Sequence, residues 1–212
     1  PHACGVAQAS ANGGGAALFY TPPGDMDTAN RLAAWLMAQP WCGTVTASDA
    51  VAGIPGTLPA SLAGTEGSRA PDLTVSFRWE TTANETGYPG MIPSTYGGPG
   101  KGQHGSMSQM EIRNILFASG PSFKSNITLE TPSGNQDLAP TILKILGIEG
   151  DNGMDGRVLA EALVDGPSAA DVNWSTKPHQ AELDLGGEVY RQQIKVSTVG
   201  TTSYLDEGNR VD

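Results

Sequence analysis

The chain has 212 residues with 22 Asp and Glu against 12 Lys and Arg, a net charge of -10, and that balance argues against a nucleic-acid polymer as partner, because neutralising a polyanion needs clustered basic side chains. It is long enough to bury a real core as one domain or two small ones. No run of about eighteen apolar residues occurs, so no membrane span is expected, and no signal peptide is legible.

From Pro1 to Thr21 the sequence is small and polar until Ala16–Tyr20, AALFY, which predicts a short buried strand entered through Gly13, Gly14 and Gly15. His2 reads as a solvated terminal residue rather than a ligand. Pro22, Pro23 and Gly24 predict a turn, with Asp25 or Asp27 capping a helix over Thr28–Gln39. Leu32, Trp35 and Leu36 fall on one face of that helix, and Pro40 ends it. A strand over Trp41–Thr46 follows, so strand, helix and strand predict a parallel crossover in a layered α/β fold.

Asp49–Pro71 is rich in Gly, Pro, Ala and Ser and predicts a loop. Next, Leu73, Val75, Phe77 and Trp79 alternate with Thr74, Ser76, Arg78 and Glu80, which predicts a strand with two distinguishable faces. Thr81–Gly102 reads as a long loop of the kind that is functional or mobile in a small domain. Tyr88 and Tyr96 are candidates for a substrate entrance, with ordinary surface aromatics as the competing reading. The loop delivers the chain to His104, which lies between Gly102 and Gly105 where the backbone can fold tightly and a neutral imidazole can reach a metal. A zinc site needs three or four donors, so one histidine makes only part of one.

Ile112–Ser119 predicts an apolar strand turned by Gly120 and Pro121, and Asn126–Leu129 a short edge strand. Asp137 is the expected N-cap of a helix over Leu138–Leu146, with Pro140 in its first turn, and Gly147 ends it. Ile142, Leu143, Ile145 and Leu146 are expected to pack on a sheet. Capping accounts for Asp137 without invoking a metal carboxylate. The DNGMDG loop, Asp151–Gly156, lacks the spacing of an EF-hand. A short helix over Val158–Leu163 follows, and from Gly166 onward the alternating segments AELDL, VYRQQIKVSTV and TSYLD predict an antiparallel addition, with His179 facing solvent.

The two cysteines, Cys4 and Cys42, are open to three readings: a mutual disulfide worth roughly 3 to 4 kcal/mol, two buried thiols, or a bond to another polypeptide. Scarce cysteine with low Lys is compatible with export. Asn84, Asn126 and Asn173 begin N-x-S/T triplets, which matter only in a eukaryotic secretory host.

The ordered set of a G-x-H-G turn at Gly102–Gly105, ILFASGPSFK, NQDLAPTILKILGI and MDGRVL resembles the closing part of the alkaline phosphatase superfamily, nearest to its type I phosphodiesterase and nucleotide pyrophosphatase branch. The specific block runs from Lys101 to Leu163, and SRAPDLTVSF resembles the strand that precedes the family's last metal-binding loop. The resemblance implies an α/β fold, the C-terminal half of an alkaline-phosphatase-like layered α/β/α domain with a mixed, mostly parallel sheet. Residues 1–165 would form that half domain, and 166–212 a small antiparallel C-terminal extension of it.

By the same resemblance His104 matches the histidine that binds one of two divalent metal ions, normally zinc. The nucleophilic Thr or Ser and the remaining metal ligands of such enzymes lie in the preceding half, which nothing here supplies. With its start at Pro1, the chain is expected to be a fragment or processed subunit, inactive alone and completed by an N-terminal half. The expected activity of the whole is secreted or periplasmic hydrolysis of a small-molecule phosphate ester. A sulfate-ester or phosphonate hydrolase is the alternative within the superfamily, and a catalytically inactive structural or interaction subunit the alternative outside it.

Overall fold

Asp25 starts the first helix, accepting a hydrogen bond from the Thr28 amide at 3.0 Å, which satisfies one of the orphan N–H groups of the first turn. The computed structural model describes residues 8–12, 14–95, 101–150 and 153–211, and the chain falls into two units. The first comprises residues 1–114, 178–195 and 205–212, and the second 115–177 and 196–204.

In the first unit, strands β1 (Gln8–Asn12) and β2 (Ala16–Tyr20) form a hairpin before helix α1 (Met26–Met37) and strand β3 (Cys42–Ala47). Strands β4 (Leu58–Pro59) and β5 (Leu73–Phe77) complete a five-stranded sheet in the order β1-β2-β5-β3-β4. Because β5 runs antiparallel to both β2 and β3, the two strands flanking α1 are parallel to each other, as the sequence predicts. They are not neighbours, however, since β5 lies between them. Among the described strand pairs of this sheet only β3–β4 is parallel, so the sheet is mixed and mainly antiparallel, which corrects the expectation of a mostly parallel one.

The core lies between α1 and this sheet. Ala29, Ala33, Leu36 and Met37 of α1 pack with Val45, Leu73 and Val75. Trp35, expected on the buried face, is 56% exposed, and its ring meets Trp41 edge-on at 6.2 Å. Gly43 sits at the irregularity between Cys42 and Thr44 in β3, where a Cβ would lie 2.8 Å from the Phe77 carbonyl, so only glycine lets the two backbones meet. Both faces of β5 are buried, Thr74 and Ser76 included. Within β5 the predicted polar face is therefore covered, with Ser76 Oγ accepting a hydrogen bond from the Met107 amide at 2.8 Å, while Glu80 beyond the strand is exposed.

The segment read as a long loop contains a hairpin of β6 (Glu80–Ala83) and β7 (Pro89–Met91). It is followed by the one-turn helix α2 (Gln109–Ile112). Three long strands, β8 (Trp174–Asp184), β9 (Val189–Val199) and β10 (Thr202–Arg210), form a second sheet in the order β10-β9-β8. Their short connections require antiparallel pairing, in agreement with the sequence. His179 lies within β8 and is half-buried, not in a solvated loop as expected.

β9 also closes the edge of β3 with side chains. Tyr190 donates its hydroxyl to the Gly43 carbonyl at 3.0 Å. Gln192, two residues on and therefore on the same strand face, accepts from the Val45 amide at 2.8 Å and donates to the Val45 carbonyl at 3.0 Å. Its side-chain amide thus stands in for the peptide group of a neighbouring strand. Cys42 is a buried free thiol whose Sγ lies 3.7 Å from the Tyr190 hydroxyl, and Cys4 lies outside the described residues. Burial pushes the Cys42 thiol up to about 12 against the opposing Tyr190 hydrogen bond.

The second unit is organised around charged groups. Helix α3 (Leu138–Ile145) is its one helix of two turns among the described residues. Arg157 donates to both Glu161 oxygens, at 2.9 and 2.6 Å, and to the Pro132 carbonyl at 3.0 Å. Asp137 sits at the N-cap position as predicted, but its side chain makes no capping bond to α3. The fully buried carboxylate accepts instead from the amides of Gly134 and Arg157 and from the Tyr204 hydroxyl. Burial, with the Asp137 charge beside it, pushes the Tyr204 hydroxyl up to about 12. Lys124 donates to the carbonyls of Glu161, Gly166 and Pro167.

The apolar expectations for this unit are corrected. Residues 115–119 form no strand, and Ile115 and Phe117 are 81% and 89% exposed. Apolar composition alone does not make a strand, and no described strand pairs with this segment. Residues 126–129 are likewise not a strand, with Asn126 at φ 54. Ile142 and Leu146 of the α3 region are exposed rather than packed on a sheet. The helix predicted over Val158–Leu163 is a single 3-10 turn, Ala160–Ala162.

Candidate functional site

The turn carrying His104 is fixed on both sides by the backbone of the first unit. The Gly15 amide donates to the His104 carbonyl at 3.1 Å, and Gly14 and His104 form a parallel bridge. Gly15 in turn offers its carbonyl to the Phe77 amide at 3.0 Å, which ties the turn to the end of β5. A Cβ on Gly15 would lie 2.7 Å from the Ser106 amide nitrogen and from its Cβ, so this approach requires glycine. Gly105 has φ 95, the left-handed region that permits the reversal after His104.

Beyond the histidine, Met107 anchors the chain through its amide on Ser76 Oγ and its carbonyl, which accepts from the Gly208 amide at 2.8 Å. Glu111, in α2, gathers the residues flanking His104. One of its oxygens accepts from the Ser106 amide at 2.9 Å and the Ser106 hydroxyl at 2.7 Å, and the other from the Gln103 side-chain amide at 2.9 Å. Ser108 caps α2 by accepting from the Met110 amide at 3.2 Å.

The outcome is a rigid turn with an exposed histidine at its tip. Among the described residues nothing hydrogen-bonds the His104 imidazole, and no three His, Cys, Asp or Glu side chains gather as a metal site requires. One imidazole does not make a complete metal site, which needs three or four donors. Tyr88 is 71% exposed in the β6–β7 hairpin, while Tyr96 and His2 lie outside the described residues.

No family model, curated protein or solved structure matches this chain.

Sequence reasoning singled out His104 as a candidate and missed what holds its turn. Ser108-Gln109-Met110-Glu111 has the S-x-x-E form of a helix start, but that pattern points Glu111 at the Ser108 amide, which donates instead to Ser106 Oγ. Gly14 and Gly15 were legible only as an entry to a strand. Their role depends on a partner some ninety positions along the chain, and no local pattern encodes that pairing.

Proposed function

We propose that this chain is the C-terminal part of a metal-dependent phosphoric ester hydrolase with an alkaline-phosphatase-like layered α/β/α domain. In this reading His104 gives one imidazole to a two-metal centre, and the other donors and the nucleophile come from an N-terminal polypeptide. The observation that carries it is the exposed imidazole on a turn held by the Gly15 bond to the His104 carbonyl and by the Glu111 bonds to Gln103 and Ser106, because a ligand held in place beforehand binds with less loss of freedom. Bound zinc ions would polarise the phosphoryl group and activate the attacking oxygen. This chain's own share is to present the His104 nitrogen, with its backbone locked by Gly15, Ser76 and Glu111, so that little ordering entropy is left to lose on binding.

The exposed run at Ile115, Leu116 and Phe117 supports the same reading. Exposed apolar side chains state a preference for burial, and the proposed N-terminal half would supply their cover. The acidic charge of -10 is compatible with a phosphate ester because bound cations set the local field.

The test is metal analysis of the natural complex with hydrolysis assays across phosphate monoesters, phosphodiesters, sulfate esters and phosphonates. Stoichiometric zinc with phosphate-ester turnover is expected. Zinc with turnover of sulfate esters or phosphonates alone would move the substrate class, and a complex without zinc would leave a structural or interaction subunit.

A further inference from the structure

We infer that Glu111 is a positioning residue for the His104 imidazole, acting by clamping the chain on both sides of it. The inference rests on the reading of His104 as a metal donor. The carboxylate reaches Gln103 immediately before the histidine and Ser106 two residues after it, through one oxygen for the first and the other for the second. A carboxylate is a pure acceptor with room for several donors, and here three donors converge on it. Those three bonds take three of the roughly four acceptor positions of the carboxylate, so in this arrangement Glu111 acts on the residues that flank the donor. The Gly15 bond fixes the His104 carbonyl, and Glu111 fixes the residues around it, which together set the direction in which the side chain leaves the backbone. Neither Ser106 nor Gln103 reaches the imidazole, so the effect travels through the backbone.

The hydrogen-bond pattern makes a discriminating substitution available. In Glu111→Gln, the amide oxygen can keep both Ser106 bonds, and its NH2 can donate to Gln103 once that side-chain amide rotates to present its oxygen. In Glu111→Ala all three donors lose their acceptor.

Zinc affinity of the complete enzyme, measured by chelator competition, should fall about tenfold in Glu111→Ala, the lower end of what loss of an orienting partner costs. It should return close to wild type in Glu111→Gln. Amide exchange on this chain gives a readout that needs no metal: protection at Ser106 should be lost in Glu111→Ala and kept in Glu111→Gln, at a temperature where all three proteins are folded. Wild-type zinc affinity in Glu111→Ala would overturn the inference. So would a Gln variant as weak as the Ala variant, since that would make the charge and not the clamp the active feature. His104→Ala separates this from the underlying reading: if that variant binds zinc as tightly as wild type, the donor assignment fails, whereas a loss there with none in Glu111→Ala fails the clamp alone.

Discussion

The Gly15 amide and the His104 carbonyl are joined by a 3.1 Å hydrogen bond, so a residue of the opening glycine run holds the turn that presents the candidate ligand. A methyl at Gly15 would meet Ser106 at 2.7 Å. Gly15→Ala should therefore cost about 1–3 kcal/mol of stability, as overpacking does, and, under the proposed function, weaken zinc binding by the assembled complex. Thermal melts and chelator competition on one preparation check both effects. A variant with wild-type melting temperature and zinc affinity would show that the turn tolerates displacement.

Gln192 replaces a missing strand along part of β3. Gln192→Leu keeps the side chain buried but leaves the Val45 amide, the Val45 carbonyl and the Gly56 carbonyl without this partner. Each orphaned buried group costs about 1–3 kcal/mol, so a loss of at least about 2 kcal/mol is expected in denaturant titration. A loss below about 0.5 kcal/mol would mean that water takes over the bonds.

Arg157 and Glu161 set the acid stability of the second unit. Burial alone would raise the Glu161 carboxyl, but the bonds from Arg157 outweigh it and hold the group below its ordinary 4.5. A carboxyl held low contributes stability that is full above its unfolded value and is lost as pH falls through the lower folded one. The melting temperature should thus decline on acidification below about 4.5, and Glu161→Gln should flatten that decline. Arg157→Met strands a carboxylate on a residue only 1% exposed and should cost about 3–5 kcal/mol near neutral pH. An acid limb unchanged in Glu161→Gln would assign the decline to other carboxyls.

Cys42 should be chemically silent in the folded chain. With its thiol buried and raised to about 12, almost no thiolate exists near neutrality, and the thiolate is the nucleophile. Treatment with an aromatic disulfide reagent at pH 8 should label Cys42 only after denaturant is added. Fast native labelling, located at Cys42 by peptide mapping, would contradict its burial.

Legibility followed the range of the information. β2, α1, β3, β5 and β9 carry their signals within a few residues, as alternation, a cap at Asp25 or the stop at Pro40, and were readable, whereas β8 was read only from Ala181 although it begins at Trp174. The insertion of β5 between β2 and β3 was not, because strand order is a long-range choice that no local period encodes. Residues 115–119 and the exposed face of α3 failed for a related reason. Apolar residues state a preference for burial, but whether they are covered depends on what packs against them. At the candidate site the same division holds: His104 stood out between two glycines, whereas Gly15, Ser76 and Glu111 became relevant only once the chain had brought them to the turn.

The most direct measurement of the proposed function is zinc titration of the assembled complex with and without His104→Ala, read by chelator competition and metal stoichiometry. The account predicts that the substitution lowers affinity at least about tenfold, since one of about four donors is removed, while the melting temperature of this chain stays within a few degrees because the side chain is exposed. Equal zinc affinity and stoichiometry in the two proteins would contradict it.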